Sequence, residues 1–177
     1  MTQSYQALYA EHVDEVQRRW EEALAAERFE AALVHSGTPI ISFLDDYEYA
    51  FRPNPHFLHW LPLTHHADSA LLIRPGRKPA LFYYQPDDYW YLPPSDPESW
   101  WADHFNIEIV READGWRQAL RDRLAGESGA AAALAVIGDN ATARHLAELL
   151  AEIPGIALDP ATVDTNIVFF GLDDDAG

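Results

Sequence analysis

The 177-residue chain contains no cysteine, so disulfide bonds, thiolate metal sites and cysteine nucleophiles are all excluded. It is also poor in positive charge, with 12 lysines and arginines against 29 aspartates and glutamates and a formal charge of −17. Nucleic acids and anionic membrane surfaces are bound through clusters of positive charge. The charge balance therefore argues against both kinds of partner.

Long apolar runs are absent as well, since none approaches the roughly 20 residues that a membrane-spanning helix needs. The beginning of the chain has neither the basic start nor the apolar centre of a secretory signal. We therefore expect a cytoplasmic protein with no membrane partner. What the chain does contain is 48% hydrophobic residues and six tryptophans, a composition that is typical of one globular domain with a proper core.

The order of the predicted elements indicates an α/β fold. A long helix over residues 4–28 begins at a capping serine, Ser4, and repeats apolar residues at the helical period. A buried strand is predicted over residues 30–35. Residues 68–84 predict an antiparallel hairpin around a turn that is rich in proline and glycine.

The second half of the chain alternates strands with helices. The predicted strands are 107–110, 134–137 and 156–158, and the predicted helices begin at residues 95, 114 and 140. A hairpin beside this alternation favours a mixed β-sheet flanked by helices, in a three-layer arrangement. We expect residues 1–158 to form one domain and residues 159–177 to form a tail with no assigned role.

Ionisable and aromatic side chains are concentrated in residues 35–62. This stretch contains adjacent carboxylates, Asp45 and Asp46, but neighbours on a strand point to opposite faces and cannot share a proton as a catalytic dyad does. A ligand contact and a turn-capping role both stay open for this pair. His35 and Ser36 lack the GxSxG turn of a serine nucleophile, and the chain has no glycine-rich phosphate loop. No catalytic residue is predicted.

Two further groups are candidates for binding. His56, His59, His65 and His66 have side chains that suit zinc, manganese or iron, but their spacing matches no known ligand pattern and favours histidines that line a hydrated loop. No metal ligand is therefore assigned. The run Tyr89-Trp90-Tyr91 is flanked by acidic residues and prolines, which favours an exposed binding or dimer surface, because tyrosine and tryptophan often anchor interfaces.

Several unusual runs occur in a specific order along residues 5–112. They are LYAEHVDEVQRR, HSG, FLDD, FRPNPHFLHWLP, KPALFYYQPDDYWY and WWADHFNIEIV. Together they resemble the N-terminal domain of bacterial Xaa-Pro dipeptidase (prolidase), a hydrolase of the creatinase and methionine-aminopeptidase ("pita-bread") superfamily. The resemblance implies a mixed-sheet α/β domain of the creatinase and prolidase type.

The resemblance also implies a function that is shared between domains. Members of the family are metallopeptidases that bind two divalent metals, commonly manganese, in a C-terminal catalytic domain. The N-terminal domain supports a homodimer and closes the substrate pocket of the partner subunit. Asp46 matches the acidic position of the closing loop, and Tyr89 and Trp90 match a segment near the same pocket.

This chain is accordingly expected to lack the metal-binding catalytic domain and to be inactive alone, with no cofactor of its own. An alternative stays open, because residues 159–177 match nothing in the family. The chain would then be a free-standing module that binds a small ligand or another protein and has no peptidase activity.

Overall fold

The computed structural model describes residues 4–44, 47–89, 92–113, 115–125, 132–138 and 156–157. In chain order, the helices are α1 (Tyr5–Glu27), α2 (Pro55–Leu58) and α3 (Trp116–Ala125). The strands are β1 (Ala31–His35), β2 (Ala70–Ile73), β3 (Ala80–Tyr84), β4 (Asn106–Val110), β5 (Ala132–Ile137) and β6 (Ile156–Ala157). None of the helices in these ranges is long and apolar enough to cross a membrane.

The six described strands form one mixed sheet in the order β4-β3-β2-β1-β5-β6. The pairs β1–β2 and β2–β3 are antiparallel, while β3–β4, β1–β5 and β5–β6 are parallel. The predicted hairpin and the predicted mixed sheet are thus confirmed. We call the edge at which β1, β3 and β4 end the upper edge, and the edge that carries the β2–β3 turn the lower edge.

Each face of the sheet is covered by a helix. Alternate residues of a strand point to opposite faces, so in β1 Ala32 and Val34 join a core with α1, whereas Leu33 joins a core with α3. The α1 core also contains Phe57, Trp60, Leu61 and Trp101, and the α3 core contains Phe82, Trp116 and Leu120. The predicted three layers are therefore present.

Helix α1 begins where the sequence predicts, because the Ser4 hydroxyl accepts the Ala7 N–H at 3.2 Å. It ends at Arg28, whose left-handed conformation (φ 63°) lets its N–H reach the Ala25 carbonyl at 3.3 Å. A local cap and a regular apolar period were sufficient to predict this element.

The helix predicted to begin at residue 95 is wrong, since the structure has only a 3₁₀ turn at Ala102–His104. The aromatic side chains that suggested a helical face have different partners. Trp101 is buried in the α1 core, whereas Trp100 meets the Tyr9 ring edge-on, 4.7 Å between centroids. Tertiary packing overrides the local pattern here. The predicted cap Asp114, the predicted helix over residues 140–153 and the tail 159–177 lie outside the described residues.

Candidate functional site at the upper edge

The buried polar side chains of the described residues all lie at the upper edge of the sheet. They are His35, Ser36, His66, Ser69 and Gln85. His35 ends β1 and Ser36 follows it, His66 and Ser69 precede β2, and Gln85 follows β3. Buried polar groups need hydrogen-bond partners, so this edge is held by a side-chain network.

Two serines connect the three strands beyond the ends of their ladders. The Ser36 N–H donates to the Ser69 carbonyl at 2.8 Å, and the Ser36 hydroxyl accepts the Ser69 N–H at 3.0 Å. The Ser69 hydroxyl accepts the Tyr84 N–H at 2.9 Å. His35 accepts the Gly37 N–H on Nδ1 at 3.0 Å. These contacts use the serine oxygens and the imidazole to fix the backbone.

A second part of the network holds the segment that follows β3. The Gln85 amide donates to the Pro94 carbonyl and to the Asp96 carboxylate, both at 2.8 Å. Arg111 donates to the Gln85 carbonyl at 2.8 Å and to its side-chain oxygen at 3.1 Å. Gln85 therefore links the end of β3 to residues 94–96 and to Arg111 after β4.

Residues 38–44 and 47–50 lie beyond this edge as the two sides of an antiparallel ribbon, which we call the ribbon. It starts after Gly37, whose left-handed backbone (φ 103°) suits glycine. The Ser42 N–H donates to the Tyr47 carbonyl at 2.8 Å, and the Tyr49 N–H donates to the Ile40 carbonyl at 2.9 Å. These two bonds give the ribbon a defined shape outside the sheet.

The ribbon carries large apolar side chains that face solvent. At its tip Phe43 is 89% exposed and Leu44 is 90% exposed. The other exposed apolar members are Ile40, Ile41, Tyr47 and Tyr49. Contiguous exposed apolar surface of this kind marks sites of protein interaction. The ribbon is therefore the strongest candidate for a functional surface in the described part of the chain.

Asp68 joins the base of the ribbon to the sheet. The Thr38 hydroxyl donates to the Asp68 carboxylate at 2.6 Å, and the Asp68 backbone is left-handed (φ 53°). Burial raises the pKa of Asp68, and the negative charge of Glu48 raises it further, while the hydrogen bond from Thr38 lowers it. Two carboxyl groups, those of Asp68 and Glu48, therefore lie near each other at the base of the ribbon.

The predicted site residues are only partly described. Tyr89 lies after β3 at the upper edge, and its side chain is 89% exposed. Asp46 and Trp90, together with Asp45 and Tyr91, lie outside the described residues. The pocket-closing role of Asp46, Tyr89 and Trp90 therefore stays a prediction. The chain segments that carry these residues leave the sheet at the same edge.

The four histidines do not assemble into a ligand set. His56 lies in α2, His59 follows it and accepts on its carbonyl oxygen from His12 Nε2 at 2.7 Å, and His66 is buried at the upper edge. Burial lowers the pKa of both His56 and His59. Among the residues with described positions, no group of three or more histidines and carboxylates could hold a metal. These residues do not fit a dinuclear metal centre.

His66 is the most strongly perturbed of these histidines. Its ring packs on the Tyr83 ring with centroids 4.0 Å apart, and its Nε2 makes no hydrogen bond within the described ranges. Burial lowers the pKa of His66 from 6.5 to about 4, although a backbone hydrogen bond with Tyr84 opposes the shift. The neutral imidazole is therefore the form that the fold accommodates.

This burial predicts a dependence of stability on pH. Between pH 6.5 and 4 the unfolded chain binds the His66 proton and the folded chain does not, so the free energy of unfolding falls as the pH falls. By about pH 5.5 the free energy of unfolding is expected to be about 1 kcal/mol lower than at neutral pH. Urea unfolding at the two pH values measures this difference. The variant His66→Phe keeps an aromatic ring against Tyr83 but has no proton to bind, so its free energy of unfolding should fall less between neutral pH and about pH 5.5. Some pH dependence should remain, because burial also lowers the pKa of His56 and His59. An equal loss in both proteins would contradict the assignment.

The sequence did not reveal two features of this site. The roles of Ser69 and Gln85 depend on neighbours at the ends of other strands, which no local pattern identifies. The exposure of Phe43 and Leu44 was also missed, because such residues are usually buried. The sequence did contain one indication that Phe43 and Leu44 lie in a loop. They stand between a glycine and the Arg-Pro-Asn-Pro turn of residues 52–55.

Comparison with known proteins identifies relatives of the chain. The family model for the N-terminal domain of Xaa-Pro dipeptidase matches residues 7–156. A Xaa-Pro dipeptidase of Stenotrophomonas maltophilia is 42% identical over 108 residues, which are 61% of this chain and 24% of that protein. One of Xanthomonas oryzae pv. oryzae is 38% identical over 134 residues, 72% of this chain and 30% of that protein. The chain thus spans less than a third of the length of these relatives.

Solved structures support the fold. The aminopeptidase PepP of Pseudomonas aeruginosa matches 89% of this chain with 36% of its own length, at a TM-score of 0.53 and 13% sequence identity. At that identity the likeness concerns the fold alone. It confirms the prediction of an α/β domain with a mixed sheet flanked by helices.

Proposed function

Because the chain belongs to the family of Xaa-Pro dipeptidase N-terminal domains, we propose that it is a non-catalytic domain that supports a homodimer and closes the substrate pocket of the partner subunit. The exposed apolar ribbon is the observation that carries this proposal. In this proposal the enzyme is a cytoplasmic prolidase, and its substrates are dipeptides with proline in second position.

Hydrolysis is assigned to a C-terminal catalytic domain that holds two divalent metal ions, commonly manganese. Such ions would supply an activated water for attack on the Xaa-Pro amide. The described residues of this chain do not fit a metal centre, so no step of the reaction is assigned to them. Their contribution is to position the ribbon.

The apolar side chains at the ribbon tip would be more stable in contact with a partner than in water. Phe43 and Leu44 are almost fully exposed, and each fully buried side chain of this size stabilises a complex by about 1.5–3 kcal/mol. The ribbon is held by backbone hydrogen bonds, and Thr38 anchors its base. These hydrogen bonds restrain the described part of the ribbon before binding, which reduces the conformational entropy that is lost when a partner binds it.

Charge and aromatic character support the choice of a dipeptide pocket as the partner site. Asp46 follows Leu44 closely in the sequence, and a carboxylate delivered into the pocket would pair with the α-ammonium group of a dipeptide. That contact would reject longer peptides, whose nitrogen at this position is an uncharged amide. Tyr89 and Trp90 would add flat apolar surface for the proline ring, as in other proline-binding grooves.

A fusion experiment tests the proposal. The chain alone, supplied with manganese, is expected to show no hydrolysis of Ala-Pro. Fused in place of the N-terminal domain of the S. maltophilia relative, it is expected to give a dimer by light scattering and an active dipeptidase. Turnover by the chain alone would overturn the non-catalytic role. A folded fusion that stays monomeric or inactive would overturn the dimer and pocket roles and favour a free-standing binding module.

A further inference from the structure

A cavity with aromatic walls lies between the first half of α1 and the segment that follows α2. Its volume is about 310 Å³, which is enough for a small organic ligand. None of its lining residues in the described part of the chain is an aspartate, glutamate, lysine or arginine. The lining residues with an aromatic or imidazole ring are Tyr5, Tyr9, His12, His59, Trp60 and Trp100.

Three of these rings meet almost at right angles. The Tyr5 ring lies edge-on to the Trp100 ring, with centroids 5.0 Å apart and planes at 78°. The Tyr9 ring also lies edge-on to Trp100, at 4.7 Å and 86°. Such contacts are favourable, because the positive edge of one ring meets the negative face of another. Rings in this arrangement can bring their faces against one ligand from two directions.

The inner polar groups of the lining already have partners within the fold. The Tyr9 hydroxyl donates to the Trp60 carbonyl at 2.6 Å, and His12 Nε2 donates to the His59 carbonyl at 2.7 Å. Trp60 Nε1 has no partner in the described ranges, but it is buried away from solvent. A ligand in the cavity would therefore be recognised by ring faces more than by hydrogen bonds.

The nearest charged side chains on α1 balance one another. Burial lowers the pKa of His59, and nearby positive groups that include Arg19 lower it further, so His59 is neutral at neutral pH. Arg19 itself binds Glu15 at 2.7 Å. Arg18 binds the same carboxylate and also Glu22. Two arginines and two glutamates thus form a network without net charge.

The other neighbours of the cavity are neutral or acidic. Glu11 precedes His12 in the chain, and Asp103 precedes His104, whose ring meets the Tyr9 ring edge-on at 5.3 Å. The chain as a whole has a formal charge of −17, and a field of that sign attracts cations and repels anions. Local and overall charge therefore both favour a positively charged ligand.

From this arrangement we propose that the cavity binds a small quaternary ammonium compound, with its positive charge against the faces of Tyr5, Tyr9 and Trp100. Aromatic ring faces attract such cations, and tryptophan attracts them most strongly. A quaternary ammonium group has no N–H to donate, which suits a lining whose inner polar groups are already paired. Its methyl groups fit apolar ring surface.

The N-methyl protons of choline give a direct measurement. Protons that lie over an aromatic face have NMR signals shifted upfield. Titration of choline with the chain at neutral pH and constant ionic strength is expected to move the N-methyl signal upfield in a saturable way. The matched compound is neohexyl alcohol, in which an uncharged carbon atom replaces the nitrogen of choline. It is expected to bind about tenfold more weakly.

Three variants locate the binding. Tyr5→Leu removes a ring that is 69% exposed and is expected to weaken choline binding about fivefold, whereas Tyr5→Phe keeps the ring and the affinity. Tyr47→Leu removes a ring that is 71% exposed on the ribbon and is expected to have no effect. Circular dichroism confirms that each variant is folded before titration.

The outcomes of these titrations are distinct. Equal affinities for choline and neohexyl alcohol would show an apolar cavity without preference for a cation and would overturn the proposal. A shift that does not saturate, or an equal weakening by Tyr5→Leu and Tyr47→Leu, would overturn it as well.

Discussion

A fusion enzyme carrying Phe43→Ser and Leu44→Ser is expected to fold normally, to dissociate into monomers and to lose most of its Ala-Pro dipeptidase activity. Both side chains are about 90% exposed, so their removal leaves no cavity in this domain. If they anchor the ribbon in the partner subunit, each should contribute at least about 2 kcal/mol to association, which is roughly thirtyfold in the dissociation constant. Light scattering and kcat/KM measure the two losses.

The matched control removes an exposed leucine from another surface. Leu8 lies on α1 and is 48% exposed, so Leu8→Ser deletes similar apolar surface away from the ribbon. This control is expected to keep the dimer and the activity of the unmodified fusion. The proposed role of the ribbon would be refuted if the Phe43 and Leu44 double variant matched this control in both measurements.

Replacement of Phe82 by alanine is expected to reduce the free energy of unfolding by about 3–5 kcal/mol. Phe82 is fully buried in the middle of β3, where it packs in the core shared with Trp116 and Leu120. The substitution creates a cavity and also removes the ring beneath the Arg123 guanidinium. Because domains are stable by only about 5–15 kcal/mol, urea unfolding should show a large decrease in the midpoint.

Ile109 provides the control for this core substitution. It lies on β4, the neighbour of β3, but its side chain is 42% exposed. Ile109→Ala is expected to cost about 1 kcal/mol or less, because exposed positions tolerate truncation. Equal losses for Phe82→Ala and Ile109→Ala would show that the α3 side of the sheet is not the tightly packed core that the structure describes.

Prediction from sequence succeeded where the physical cause is local. Ser4 caps α1 through a residue only three positions away, and the turn after β2 depends on its own proline and glycine. It failed at residues 95–105, where a proline and an apolar run suggested a helix. Trp100 and Trp101 are instead held by separate partners on α1 and on the sheet. Those partners are distant in sequence and cannot be inferred from the local pattern.

The sequence by itself determined the excess of acidic residues, the first helix, the hairpin and the likeness to one family. These follow from composition, periodicity and turn chemistry, which act over a few residues. Only the tertiary structure decided that Phe57 is buried while Phe43 is exposed, although both lie within residues 35–62. It also brought Lys78 and Arg123 to one cavity at the lower edge, since β3 and β4 pair in parallel and α3 crosses back beneath them. The burial of a side chain and the clustering of charges depend on which distant segments of the chain come together. The pairing of the strands determines which segments these are.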